Sequence, residues 1–315
     1  MEREIDHEEQ RLDPELEGGL LAFFQRFSDD ASCRAYLEKR RWPNGPVCPH
    51  CQNTGRIYKL EGKSHRRGLY KCGACRKQFT VTIGTIFEGS KIPLEKWFAA
   101  IYLMCASKKG ISAHQIHRSL GITYKSAWFL CHRVRLAMAT RAFQGALSGT
   151  VEADETYIGG RRPGKRGRGA AGKSIVFAVV EREGDVHAQR VPDVKKQTLH
   201  PIIHEKVEPG SRVMTDELRS YSGLQGRYEH GVVTHAREYV TGKDIHTNNG
   251  ESFFALLKRG VHGTYHHIGH DKVDMYCGEF GFRFNTRKLS DPERFMDALT
   301  HCDGRLRWFF QGEPA

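Results

Sequence analysis

The sequence predicts an α/β domain with a mixed sheet and helices, preceded by a small cysteine-rich region and a helical region. Two Cys-x-x-Cys pairs lie between Cys48 and Cys75, and a stretch of helical pattern follows them. From Thr150 onward, short apolar runs alternate with helical segments, which is typical of an α/β fold. At about 100–200 residues per domain, a chain of 315 residues has room for two or three domains.

We place the domain boundaries where the pattern changes. The expected parts are an N-terminal helical region (1–46), a cysteine-rich region (47–90), a helical region (91–148), the α/β domain (149–290) and a C-terminal helical tail (291–315). Pro43, Gly45 and Pro46 break the chain before the cysteines, and Gly145 lies near the start of the α/β domain.

The net charge is +12 at pH 7, which favours a polyanionic partner such as nucleic acid. The longest apolar run, residues 97–106, is half of the about 20 residues that span a bilayer, so no membrane partner is expected. The N-terminus lacks the apolar segment of a secretory signal. Scattered cysteines outside the two pairs fit a reducing compartment, so we expect a cytoplasmic protein.

The two cysteine pairs predict a metal site. Twenty residues separate Cys51 from Cys72, and the two thiolates of each pair can bind one tetrahedral ion. Four thiolates leave no open position, so the predicted group is a structural Zn²⁺ ion in a zinc ribbon, held by Cys48, Cys51, Cys72 and Cys75. Gly73 is expected to form the turn of the second pair, and His50 is not needed as a ligand.

Residues 111–135 predict a helix-turn-helix. Ser112 is a candidate N-cap for a first helix that ends at Leu120, Gly121 forms the turn, and the second helix begins at Tyr124. The second helix of this motif enters the DNA major groove, which makes Lys125, Arg133 and Arg135 candidate DNA contacts. Any short helical hairpin has a similar pattern, so DNA binding is favoured here by the charge and by the neighbouring zinc ribbon.

The α/β domain is predicted as a three-strand meander followed by helix, strand, helix and strand. Strands are expected at Thr150–Ile158, 174–180, Val186–Val191, Arg212–Thr215 and 231–234, with a helix at 199–207. Further helices follow from about Asn248. The continuous apolar run at 174–180 is typical of a strand buried on both faces.

Three acidic residues occupy positions from which their side chains can meet. Asp154 shares one face of the first strand with Glu152, Asp216 follows the end of a strand, and Glu251 begins a helix that carries Lys258 on the same side. Phosphodiester cleavage uses two Mg²⁺ ions about 3.5–4 Å apart, and Mg²⁺ prefers oxygen ligands such as carboxylates. Each acid considered alone is by default a surface charge.

Several further blocks accompany these residues. They include Asp154-Glu-Thr-Tyr-Ile-Gly-Gly160, His246-Thr-Asn-Asn-Gly-Glu251, and segments at 33–37, 41–51, 79–87, 96–97, 215–216, 257–267 and 282–287. Together they cover roughly residues 30 to 290, and in them the chain resembles the ISXO-like insertion-sequence transposases.

The resemblance implies a zinc ribbon followed by a DDE domain of RNase H-like fold. It assigns the catalytic Mg²⁺ (or Mn²⁺) ligands to Asp154, Asp216 and Glu251 and matches Lys258 to the lysine that follows the family's glutamate. Some relatives are described with asparagine in the third position, so Asn248 is a rival to Glu251.

The implied reaction is cleavage at a transposon end by water, followed by attack of the freed 3′-hydroxyl on target DNA. The implied partners are terminal inverted repeats, target DNA and further copies of the chain. A nucleoid-associated, prokaryotic protein is expected on the same ground.

The segment 159–173 contains six glycines, six lysines or arginines and no acid. It is either a solvated loop or a basic loop beside Asp154 that contacts DNA phosphates through Arg161, Arg162, Lys165, Arg166 and Arg168. Three other functions remain open on the sequence: a transposase-derived DNA-binding regulator without catalysis, a nuclease that does not join strands, and an RNA-binding zinc-ribbon protein. A regulator would be expected to lose the three acids, which are all present.

Overall fold

The computed structural model describes residue 16 and residues 18–141, 145–159, 172–233, 246–304 and 306. These residues form two compact units. The first draws on Met1–Ala106, Ala113–Ala137 and Leu289–Ala315, and the second on Ser107–Ser112 and Met138–Lys288. The domain boundaries proposed from the sequence remain predictions.

The described residues contain the following elements. The helices are α1 (Gly19–Arg26), α2 (Asp30–Arg41), α3 (Leu94–Ala106), α4 (Ala113–Leu120), α5 (Tyr124–Arg141), α6 (Lys196–Lys206), α7 (Asn248–Gly260), α8 (Val273–Asn285) and α9 (Asp291–Thr300). The strands are β1 (Ile57–Leu60), β2 (Leu69–Cys72), β3 (Gln78–Phe79), β4 (Thr150–Ile158), β5 (Ser174–Glu181), β6 (Val186–Val191), β7 (Arg212–Thr215) and β8 (Glu229–Val232).

Aromatic side chains form the helical core of the first unit. The rings of Phe23 and Phe295 lie 4.8 Å apart, which joins α1 to α9, and those of Phe27 and Phe98 lie 5.0 Å apart, which joins the end of α1 to α3. Such edge-to-face pairs add to the stabilisation that burial alone provides. The C-terminal helix α9 therefore packs with N-terminal helices.

Helix α3 contains the longest apolar run of the sequence and is buried on nearly all sides within the first unit. A helix that is apolar all round belongs either to a protein core or to a membrane, and burial accounts for this one. Within the residues that the structure describes, no helix combines the length and apolarity needed to cross a bilayer.

The second unit contains a five-stranded sheet in the order β6-β5-β4-β7-β8. Strands β4, β5 and β6 form an antiparallel meander, β7 pairs parallel to β4, and β8 pairs parallel to β7. Parallel pairing of β7 with β4 requires a crossover, which α6 supplies. The predicted mixed sheet of an RNase H-like α/β domain is confirmed.

Helices cover both faces of this sheet. On one face, α6 packs through Leu199 and Ile203 against the inward side chains of β4, β5 and β7. On the other face, α7 and α8 pack through Phe253, Leu257 and Phe280 against β5. Alternate residues of β4 consequently point into two different helix layers, and Asp154 lies on the α7 side.

Two elements differ from the sequence prediction. The helix predicted between the fourth and fifth strands of this sheet is only a 3-10 turn at Arg219–Tyr221. Strand β8 runs over Glu229–Val232 rather than 231–234, because its pairing begins with Glu229 opposite Arg212 of β7. The partner strand, not the local apolar pattern, sets where this edge strand begins.

Candidate functional site

Four cysteines converge at one end of the three-stranded sheet β1-β2-β3. The Sγ atoms of Cys48 and Cys75 lie 3.7 Å apart, those of Cys51 and Cys72 lie 3.6 Å apart, and all four lie within 4.8 Å of one another. This set of sulfur atoms fits a tetrahedral structural zinc ion, as the sequence predicted. His50 is exposed and is not part of the group.

The two cysteine pairs have the same backbone shape. The residue after each pair adopts a left-handed conformation, with φ of 58° at Gln52 and 62° at Arg76. Gly73 lies in the turn of the second pair, as predicted, without adopting a left-handed conformation itself. Instead, a Cβ atom at this position would lie 3.1 Å from the Arg56 carbonyl oxygen, so the residue is glycine because the backbone approaches closely.

Electrostatics at the cysteines also suit a bound cation. A hydrogen bond from the Cys75 backbone, opposed by desolvation, helps to lower the pKa of Cys72 to about 7. At Cys51 the Asn53 backbone favours the thiolate, but desolvation and hydrogen bonds with three neighbouring thiols outweigh it and raise the pKa to about 12. Four close thiols cannot all ionise without a cation between them, and zinc supplies that charge.

The sheet brings Asp154 and Asp216 to adjacent strands. Ala153 of β4 is paired with Thr215 of β7. Asp154 and Asp216 come directly after these two residues, so they lie at the same height along the neighbouring strands. The Asp216 carboxylate accepts a hydrogen bond of 2.9 Å from the Leu218 N–H, which orients it in the turn after β7. Both acids are half-buried.

Helix α7 brings Glu251 to the same place. A Cβ atom on Gly250 would lie 3.6 Å from the Cβ atom of Asp154, so the first turn of α7 lies directly against β4 at this acid. Glu251 follows and is exposed, as are Asn248 in the same turn and Lys258 two turns later. The structure thus brings the three predicted acids together, and it leaves both candidates for the third ligand position accessible.

Burial raises the pKa of Asp154 to about 7. The Glu155 N–H, which donates to Asp154 Oδ1 at 2.7 Å, opposes the shift, while the carboxylates of Glu155, Asp216 and Glu251 add to it. A half-buried carboxylate surrounded by other carboxylates is stabilised by a bound divalent cation, and the oxygen-only donor set suits Mg²⁺ or Mn²⁺. Among the described residues, the four cysteines are the only group of three or more possible ligands whose atoms all lie within 4.8 Å of one another, so the three acids are more widely spaced than the thiolates.

The sequence did not reveal the role of Glu152, which was noted only for sharing a strand face with Asp154. Glu152 is completely buried in β4 and forms an ion pair of 2.9 Å with Arg182. Its carboxylate also accepts hydrogen bonds from the backbone N–H groups of Asn249 and Gly250 at 2.8 and 3.0 Å. The signal in the sequence was its position, two residues before Asp154 on the same strand face.

The structure shows the surroundings of two predicted DNA contacts on α5. Arg135 is 3% exposed, and the Nη1 atom of Arg133 donates to the carbonyl oxygens of Ile86 and Glu88 at 3.0 and 2.9 Å. The prediction that Arg135 faces DNA is therefore wrong, while Arg133 is half-buried and its contact with DNA stays a prediction. Lys125, in the first turn of α5, is exposed as expected. The predicted contacts Arg161, Arg162, Lys165, Arg166 and Arg168 lie outside the described residues.

Comparisons with known proteins agree with this organisation. The family model described as the ISXO2-like transposase domain matches residues 146–285, and the model of the transposase zinc-ribbon domain matches residues 28–78. A protein in the transposable element ISH50 of Halobacterium salinarum is 28% identical over 267 residues, which is 78% of this chain and 88% of the relative. A transposase-like protein of Haemophilus influenzae is 31% identical over 115 residues, which is 36% of this chain and 92% of the relative.

Proposed function

Since the chain belongs to the ISXO2-like transposase family, we propose that it cleaves the ends of an insertion sequence and joins them to target DNA by metal-dependent catalysis. The observation that carries this proposal is that three acids lie where the first turn of α7 packs against β4 and the end of β7. Burial raises the pKa of Asp154, the neighbouring carboxylates add to the shift, and a bound divalent cation would stabilise the ionised acids.

The proposed ligands of the metal are Asp154, Asp216 and Glu251. When bound, divalent metal would supply activation of the attacking oxygen and stabilisation of the leaving oxygen. Exposed Glu251 and Lys258 lie on the same side of α7, so the lysine can hold a DNA phosphate beside the carboxylates. Asn248, in the same turn as Glu251, is the alternative third ligand.

In each of the two proposed steps, one bond to phosphorus forms as another breaks, so no energy source is needed. In the first step the oxygen of water bonds to phosphorus at the transposon end, the bond to the 3′-oxygen breaks, and that oxygen leaves as a 3′-hydroxyl. In the second step the 3′-oxygen bonds to a target phosphorus, and the target's own 3′-oxygen leaves with a proton. One phosphodiester forms as one breaks, so ATP is not required. Because two ends are joined in one event, we propose that the chain acts as a multimer on DNA.

For recognition of the terminal inverted repeats, we propose the zinc ribbon and the exposed turn between α4 and α5. Beyond its first turn, α5 is buried at Ala127, Leu130 and Val134, and among the residues of α5 whose side chains the structure describes, the exposed ones lie at its N-terminal end. That end carries Tyr124 and Lys125. The ring of Tyr124, which is 44% exposed, stacks on His114 of α4 at 4.2 Å. The first turn of a recognition helix is where base contacts are made in this motif.

Replacing Tyr124 and Lys125 with alanine is expected to weaken binding to the element's own ends. A lost base contact costs about 1–3 kcal/mol, and a lost phosphate contact lowers the slope of log affinity against log salt by about 1. Fluorescence anisotropy at several salt concentrations measures both. Lys91→Ala, at an exposed lysine ahead of α3, is the matched control and should leave specific binding unchanged. Equal binding of wild type and the double variant would remove this turn from the DNA interface.

The proposed reaction is tested on labelled DNA that carries the element's own ends, with Mg²⁺ present. Wild type is expected to give cleaved and joined products, and Asp216→Asn and Glu251→Gln are expected to give neither while still binding DNA. Cleavage without joining would indicate a nuclease. DNA binding without cleavage, in Mn²⁺ as well, would indicate a regulator derived from a transposase.

A further inference from the structure

The carboxylate of Glu152 is a buried negative charge that the proposed reaction does not use. It lies in the middle of β4 with no solvent exposure. Burying a carboxylate is strongly unfavourable unless its oxygens are paired and hydrogen-bonded. The groups that surround it therefore show what the fold uses it for.

Both carboxylate oxygens of Glu152 accept hydrogen bonds, from the first turn of α7 and from Arg182. Oε2 accepts from the N–H groups of Asn249 and Gly250, at 2.8 and 3.0 Å. Oε1 accepts from Arg182 Nε at 2.9 Å and from Asn249 Nδ2 at 3.0 Å, and His246 Nδ1 lies 3.2 Å away. Arg182 also donates to the His246 carbonyl oxygen at 2.9 Å, which ties down the residues just before α7.

These contacts amount to a helix cap supplied from a different strand. The first N–H groups of a helix have no partner within it, and a side chain at the N-cap normally satisfies one of them. The N-cap residue of α7, Thr247, makes no such bond. Glu152 bonds the second and third N–H groups instead, and its negative charge is favourable at the positive end of the helix.

The cap lies between two of the proposed metal ligands. Asp154 is two residues beyond Glu152 on the same face of β4, and Glu251 is one residue beyond Gly250 on α7. We propose that Glu152 is a positioning residue, which holds the first turn of α7 against β4 and so sets how Glu251 is presented to Asp154. This inference rests on the proposed metal-dependent function.

The test uses full-length, zinc-loaded protein and Mn²⁺ alone, with bound metal measured by electron paramagnetic resonance. Glu152→Gln keeps the shape of the side chain but removes the negative charge that accepts hydrogen bonds from four donors, and it is expected to weaken Mn²⁺ binding by about 10–100-fold. The rate of strand cleavage should then need correspondingly more metal, with DNA affinity unchanged. The Mn²⁺ binding that is lost in Asp154→Asn is the part that belongs to this site.

A matched control separates positioning from general stability. Glu279→Gln breaks another fully buried ion pair of the second unit, to Arg283 at 2.7 Å on α8. It should lower the melting temperature while leaving Mn²⁺ binding as in wild type. If Glu152→Gln does not fold, Arg182→Lys serves as the second variant. Lysine keeps the positive charge but cannot make both the bond to Glu152 and the bond to the His246 carbonyl oxygen, so this variant should show a smaller loss of Mn²⁺ affinity.

The outcomes distinguish the two proposals. If wild type binds Mn²⁺ through Asp154 and Glu152→Gln binds it equally well, the positioning role is wrong and the proposed function stands. If wild type and Asp154→Asn do not differ in Mn²⁺ binding, the proposed metal site itself is wrong, and the inference about Glu152 fails with it.

Discussion

Replacing Asp154 with asparagine is expected to abolish DNA cleavage and joining and, at the same time, to stabilise the metal-free protein at neutral pH. Loss of several kcal/mol of transition-state stabilisation corresponds to a rate at least about 10³-fold lower. The gain in stability follows from burial, which raises the pKa of Asp154 to about 7. An asparagine side chain has no charge to bury beside Glu155, Asp216 and Glu251.

The raised pKa of Asp154 determines whether the stability of the protein rises or falls with pH. The folded protein binds the Asp154 proton more tightly than the unfolded chain, in which this carboxyl has its ordinary pKa of 3.8. The metal-free protein therefore loses free energy of unfolding as the pH rises from about 4 to about 7, and the loss stays at higher pH. The melting temperature of Asp154→Asn relative to wild type should rise over this interval, and added Mn²⁺ should stabilise only wild type.

Asp193→Asn is a matched control with the opposite sign. Hydrogen bonds from the Thr198 hydroxyl and the Lys195 N–H lower the pKa of Asp193, so its ionised form stabilises the folded state above that pKa. The asparagine variant should therefore be slightly less stable at neutral pH and fully active. Joined products from Asp154→Asn, or a stability difference that does not change with pH, would contradict our account of the acidic site.

The sequence was sufficient to predict most of the sheet in the second unit. Strands β4, β6 and β7 have the predicted bounds, because each alternates or concentrates apolar residues between clear turn signals. Strand β8 was misplaced, since its residues Glu229 and His230 are polar and only their pairing with β7 makes them a strand. Register between strands distant in sequence is not encoded in local periodicity.

The sequence allowed Asp154 to be placed on a strand face, Asp216 after a strand end and Glu251 at a helix start, but the cap on α7 could not be predicted. Glu152 bonds Asn249 and Gly250, which lie 97 and 98 residues later in the chain. From the sequence it is one more acid in an acidic strand. Its role as a cap follows only from the three-dimensional pairing of β4 with the first turn of α7.

The error at Arg135 has a related cause. Basic residues on a candidate recognition helix were assigned to DNA because an amphipathic helix normally exposes its polar residues. Helix α5 departs from that rule, because His132 and Arg135 are buried beside Leu130 and Val134. A long aliphatic stem lets arginine pack inside a protein while its guanidinium finds hydrogen bonds.

Cys72→Ser is expected to release zinc and unfold the ribbon. Zinc in small structural sites contributes about 10–16 kcal/mol, as much as the whole stability of a typical domain. The apolar cluster of the ribbon is small: Tyr70 and Phe79 pack with Cys48 and Cys72, and Trp42 lies against them. Such a core cannot hold three short strands without the metal.

Zinc content should fall from one ion per chain to none in Cys72→Ser, as measured by plasma mass spectrometry. Amides of β2 should lose their protection from hydrogen exchange, and Trp42 fluorescence should shift as its contacts with Tyr70 and Phe79 are lost. Cys33→Ser is the matched control, because burial raises the pKa of this α2 thiol to about 12 and keeps it protonated. It should retain the zinc ion.

Binding to the element's ends is the last readout for these two variants. If the ribbon contributes to end recognition, Cys72→Ser should lose affinity for the specific ends while Cys33→Ser retains it. Zinc retained by Cys72→Ser, together with protected β2 amides, would show that three thiolates suffice and that the fourth position is open. That open position would belong to the variant, since four thiolates converge in the wild type, and our expectation that the ribbon needs all four thiolates to fold would be wrong.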